Sequence, residues 1–81
     1  MMASPWPAHK ASHVLKKILM KQLGYRRARQ SGSHVTLVAE ARPAITWAYH
    51  NGDTVPPRVL RDILVNQVGL TMDQARKVAG I

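Results

Sequence analysis

Arg29-Gln30-Ser31-Gly32-Ser33-His34 gathers residue types from which a specific chemistry can be built. A cationic run reaches a tight Ser-Gly turn, and an imidazole follows at the head of a β-branched stretch. Seven Lys or Arg residues fall between Lys10 and Arg29, and no acid precedes Glu40. An imidazole, with an ordinary pKa of about 6.5, can take or give a proton near neutral pH. Guanidinium groups beside it can carry the charge that develops on a phosphoryl group. The segment therefore reads as a site that holds a polyanion and moves a proton.

His34 is the candidate catalytic group, as general base or acid. Arg27, Arg29 and Lys21 are the nearest candidate sources of positive charge. Lys16, Lys17 and Lys21 could track a phosphate backbone, or form a plain solvated face. Gly32 and Ser33 shape the turn. Ser33 does not read as a nucleophile, because adjacent strand residues point to opposite faces and it cannot use His34 as its base. The plain alternative for His34 is a turn histidine with no catalytic duty.

The other titratable residues offer less. His50 could approach the open face from the end of the third strand or be an exposed loop residue, and the second reading is favoured. His9 and His13 stand four apart, with no acid or thiol beside them to complete a metal site. Glu40, Asp53, Asp62 and Asp73 are scattered, which supports neither a two-metal nuclease nor a paired-carboxylate mechanism. No cofactor or metal is expected.

Composition narrows the partner. Twelve basic and four acidic residues give a net charge of +8, with a pI near 11.0. In a chain of 81 residues that balance favours nucleic acid over a charge serving solubility alone. A membrane surface fits less well, because the cations are not confined to one long amphipathic helix. No stretch approaches the ~18 apolar residues of a membrane span, and the N-terminus lacks the apolar run of a secretory signal. With no cysteine, neither disulfides nor thiolate zinc sites are available, and a cytoplasmic location fits. Hydrophobic residues at 46% suffice for one small globular domain. Residues 1–11 read as a mobile tail with Trp6 as its candidate anchor, and residues 12–81 as the domain.

The positioning elements follow from periodicity. Ser12 is a candidate N-cap for a helix to about Leu23, with Val14, Leu15, Ile18, Leu19 and Leu23 on one stripe and Lys16, Lys17 and Lys21 opposite. Gly24 suits a helix C-terminus. Strand character follows over Tyr25 to Gln30, His34 to Ala39 and Ala44 to His50. Ser31-Gly32 is a plausible hairpin turn, and Glu40-Ala41-Arg42-Pro43 closes the next. Asn51 to Thr54 reads as a polar loop. Pro56-Pro57 opens a second helix that buries Leu60, Ile63, Leu64 and Val68 and stops at Gly69. Thr71 and Gln74 match a capping box, which predicts a short helix over Met72 to Ala79. Trp47 and Tyr49, at strand spacing, read as core.

The expected fold is a small α+β domain of order α-β-β-β-α. It has a three-stranded antiparallel sheet, helices on one face and a short C-terminal helix. Alternation puts Val35, Leu37 and Ala39 on the core side, and turns His34, Thr36 and Val38 outward.

These residues resemble the HicA toxin family. The resemblance is carried by Gly24-Tyr25, by Arg29-Gln30-Ser31-Gly32-Ser33-His34 leading into a hydrophobic strand, and by Leu60-Arg61-Asp62-Ile63-Leu64 followed by Gly69-Leu70-Thr71. His50 falls where many members have a Pro-x-His, with Ala48 in place of the proline. One residue more than usual separates Ile63-Leu64 from Gly69. The resemblance implies a double-stranded-RNA-binding-like fold, an mRNA-cleaving ribonuclease activity with His34 as the essential histidine, and a HicB-type antitoxin that masks the site.

Two other classes stay open on sequence. One is a non-catalytic RNA- or DNA-binding module using the same basic face. The other is an interaction protein that only occupies a partner.

Overall fold

The apolar stripe of the first helix, Val14, Leu15, Ile18 and Leu19, joins one core with Leu37, Ile45 and Trp47 of the sheet and Leu60, Ile63 and Leu64 of the second helix. The structure is a computed structural model, and it describes residues 6–81. Its elements are β1 (His9–Lys10), α1 (Ala11–His13, continued by wider π-type winding over Val14–Gln22), β2 (Arg26–Ser31), β3 (His34–Ala39), β4 (Arg42–Trp47), β5 (Thr54–Val55), α2 (Pro57–Asp62, continued by π-type winding over Ile63–Gln67) and α3 (Met72–Val78). The main sheet is antiparallel in the order β2-β3-β4, and β1 pairs with β5 in a separate two-stranded ladder. The fold is thus the expected small α+β domain.

Both long helices end by the same device. The N–H of Leu23 bonds the carbonyl of Ile18, and that of Tyr25 bonds Leu19; at the end of α2, Val68 bonds Ile63 and Leu70 bonds Leu64. Gly24 and Gly69 turn the chain at φ of 78° and 90°, a region that a Cβ disfavours. Each glycine is followed by a buried residue, Tyr25 or Leu70, that returns the chain to the core. In both helices the later bonds reach five residues back, one further than in an α-helix. The capping box forms as predicted, with Thr71 Oγ1 accepting from the Gln74 N–H and Gln74 Oε1 accepting from the Thr71 N–H.

Directly opposed residues of an antiparallel pair share a face, so the register sorts the side chains. Leu37, fully buried, lies across from Ile45, and Val35 lies across from Trp47. These define the helix-covered face. Thr36 pairs with Thr46 and Arg29, Val38 with Arg26, and His34 with Ser31. None of those is buried, and that face is open to solvent.

The structure corrects several boundaries. The helix starts at Ala11, and Lys10, not Ser12, takes the extended N-cap conformation, without a side-chain cap bond. The Ala11 N–H donates to the Asp53 carbonyl at 2.8 Å, which satisfies one of the first four N–H groups that have no partner within the helix. The loop expected over Asn51 to Thr54 therefore contributes to β5. The first hairpin turns at Gly32-Ser33, since Ser31 still pairs with His34; its first position needs the positive φ, 61°, of Gly32. The third strand begins at Arg42 and ends at Trp47. Of the tail expected over residues 1–11, residues 1–5 lie outside the described residues. The remainder packs: Trp6 and Ala11 are buried and His9–Lys10 is paired.

Candidate functional site

A β-bulge decides which cations share a face with His34. The ladder runs Arg26 opposite Val38 and Arg27 opposite Leu37, then resumes with Arg29 opposite Thr36, leaving Ala28 as the extra residue. In an uninterrupted strand Arg27 and Arg29 would point the same way. The extra residue reverses the alternation, so Arg29 joins Arg26, Ser31, Thr36 and His34 on the open face while Arg27 turns to the helix side. Three hydroxyl or imidazole side chains and two guanidinium groups thus share one solvated face. His34 itself is exposed at the first position of β3.

The turn that carries His34 is braced from within. Gln30 Nε2 donates to the Gly32 carbonyl at 3.1 Å, and the Ser31–His34 pair closes the ladder below it. A two-residue turn with glycine first leaves little freedom to the strand ends it joins. The imidazole therefore projects from a fixed backbone position.

The expected charge suppliers divide between surfaces. Arg29 lies with His34. Arg27 does not, because of the bulge at Ala28. Lys16, Lys17 and Lys21 are exposed on α1, whose buried stripe packs on the opposite side of the sheet, so Lys21 is not a neighbour of the imidazole. Arg26, which the alternation of the sequence left unassigned, does belong to the open face. Its only signal is the irregular ladder, and a bulge leaves no mark in composition.

On the helix side a groove of about 450 Å³ lies between α1 and the hairpin tip, lined among others by Arg27, Gln30, Ser33, Trp47, Tyr49 and His50. Ser33 faces this groove while His34, the next residue, belongs to the open face. Trp47 is core as expected, but Tyr49 is half-buried, with its ring tilted 56° on Trp47 at 5.2 Å. His50 is held by a tight turn: its N–H donates to Asp53 Oδ2 at 2.9 Å and its carbonyl accepts from the Asp53 N–H at 2.9 Å.

The remaining histidines stand apart. The rings of His9 and His13 stack with centroids 4.4 Å apart, and burial, then His9, then Lys17 lower the pKa of His13. Among the described residues no three His, Cys, Asp or Glu side chains cluster to hold a metal ion. None of the described helices is long and apolar enough to cross a membrane.

The model of the HicA toxin of bacterial toxin–antitoxin systems matches residues 11–70, from the first residue of α1 to the residue after Gly69. That span includes every element that builds the open face. The chain belongs to the HicA toxin family. No curated protein and no solved structure matches it. Family membership makes it the toxin of a toxin–antitoxin pair, with an antitoxin as partner. In HicA terms the Gly-Ser-His segment is the turn between β2 and β3, and the bulge sits four residues upstream of Gly32.

Proposed function

We propose that this toxin is a metal-independent endoribonuclease that cleaves mRNA, with His34 as its general acid–base group. The observation that carries the reading is the shared face of His34, Arg29 and Arg26, fixed by the register and the bulge. His34 takes the proton of a ribose 2′-hydroxyl, and the 2′-oxygen forms a bond to the adjacent phosphorus. The bond to the 5′-oxygen breaks, and that oxygen takes a proton from solvent, which reaches the exposed face freely. Arg29 and Arg26 hold the phosphoryl oxygens as their charge rises, a role that guanidinium geometry suits. Thr36 and Ser31 add hydroxyl contacts to the backbone of the same strand.

The chemistry predicts its own products. Cleavage leaves a 2′,3′-cyclic phosphate and a free 5′-hydroxyl, continues in EDTA, and stops when the scissile nucleotide carries a 2′-deoxyribose. Cleavage of the deoxy-substituted RNA, or 5′-phosphate ends, would overturn the mechanism. Equal binding with no cleavage of any RNA would make the protein a binding module on the same face.

The antitoxin, of HicB type, would cover this face and set carboxylates against Arg26 and Arg29. Charge reversal at Arg29 should weaken the toxin–antitoxin complex, and the salt dependence of RNA binding should be steep because phosphate contacts release counterions.

A further inference from the structure

We infer that the groove on the helix side of the hairpin tip binds one unstacked base of a single-stranded RNA, next to the phosphate held at His34. The inference rests on the ribonuclease reading for its RNA, and on the groove for everything else. Ser33 lines the groove and His34 follows it on the opposite face, so a strand rounding the Gly32-Ser33 turn meets both surfaces in succession. The turn is two residues wide, and a Cβ at Gly32 would stand in open space.

The groove has what a base needs. Its volume of about 450 Å³ falls within the range of small-molecule sites, about 300–1,000 Å³. The half-buried ring of Tyr49, held at a fixed tilt by Trp47, offers a stacking platform. The Gln30 amide is oriented by its bond to the Gly32 carbonyl, which leaves its oxygen set to accept from an exocyclic amino group. Arg27 and His50 stand at the same groove, and no carboxylate lines it, so the flanking phosphate meets only positive or neutral groups. A paired base in an A-form duplex cannot enter, because its face is stacked and its edge is occupied. The groove thus selects single strands, although the fold resembles a duplex-binding one.

The test reads the groove without requiring catalysis. ¹⁵N-labelled wild type and His34→Ala are titrated separately with the four nucleoside 5′-monophosphates and with inorganic phosphate. The inference predicts that at least one nucleotide shifts the Trp47 indole and the Gln30 and Asn51 side-chain amides in both proteins, and that phosphate alone does not. Gln30→Ala, an exposed position, and Tyr49→Ala should each weaken binding of a 2′-O-methyl single-stranded oligonucleotide about tenfold and leave duplex binding unchanged. Shifts confined to the Arg26–Arg29 face, or reproduced by phosphate, would overturn it. A His34→Ala protein that keeps the groove shifts, beside a wild type that cuts no RNA, would refute the nuclease reading and keep this one.

Discussion

Arg29 stands directly across the ladder from Thr36, on the face that carries His34, while Arg27, two residues earlier, stands across from the buried Leu37. One unpaired residue, Ala28, separates the two arginines into different jobs. Arg29→Gln should lower the turnover rate for RNA about 10²-fold, the usual loss when one donor to a developing oxyanion is removed. Arg27→Gln should act on substrate binding instead. Arg76→Gln, on α3 and in neither the strand ladder nor the groove lining, should change neither. Steady-state kinetics on one RNA separate the three outcomes, and equal effects at Arg27 and Arg29 would contradict the division.

The shared helix endings predict a conformational cost without a steric one. Gly24 and Gly69 hold positive φ, yet a Cβ at either would meet nothing within 4 Å. Gly69→Ala should therefore destabilise the domain by about 1 kcal/mol, read from urea midpoints. Gly52, in open space without positive φ, should tolerate the same change with a much smaller loss.

Stability should fall on mild acidification because of His13. Burial, the neighbouring His9 and Lys17 hold its pKa below the ordinary 6.5. Between that lowered value and about 6.5 the unfolded chain binds more protons than the folded one, so stability present above the window is lost as pH falls through it. Urea midpoints taken at about pH 7.5 and about pH 5.5 should drop in the wild type and drop less in His13→Gln. An equal drop in both would contradict this account.

Much of the architecture was legible because it rests on local patterns. Val14, Leu15, Ile18 and Leu19 recur at helical spacing, Gly24 and Gly69 mark helix ends, and Thr71 with Gln74 announces a cap; each acts over a few residues. The outward turn of His34 followed from the alternation of β3, whose one fully buried member is Leu37. Other features rest on tertiary pairing. The β1–β5 ladder involves two residues on each side, too few for any periodicity. Beside it the helix starts at Ala11, ahead of Ser12, with the Ala11 N–H on the Asp53 carbonyl. The bulge at Ala28 puts Arg26 beside Arg29 and turns Arg27 away with no compositional trace, and the groove joins Gln30 to Tyr49 and His50 across separate elements.

The most direct test of the account is single-turnover cleavage of one defined RNA in EDTA by wild type and His34→Ala, with binding of an uncleavable analogue measured on both. Loss of about 10²–10⁴-fold in rate, with the dissociation constant held within about threefold, is the predicted result, since the exposed imidazole supports no packing. A His34→Ala protein that cleaves at the wild-type rate would contradict it.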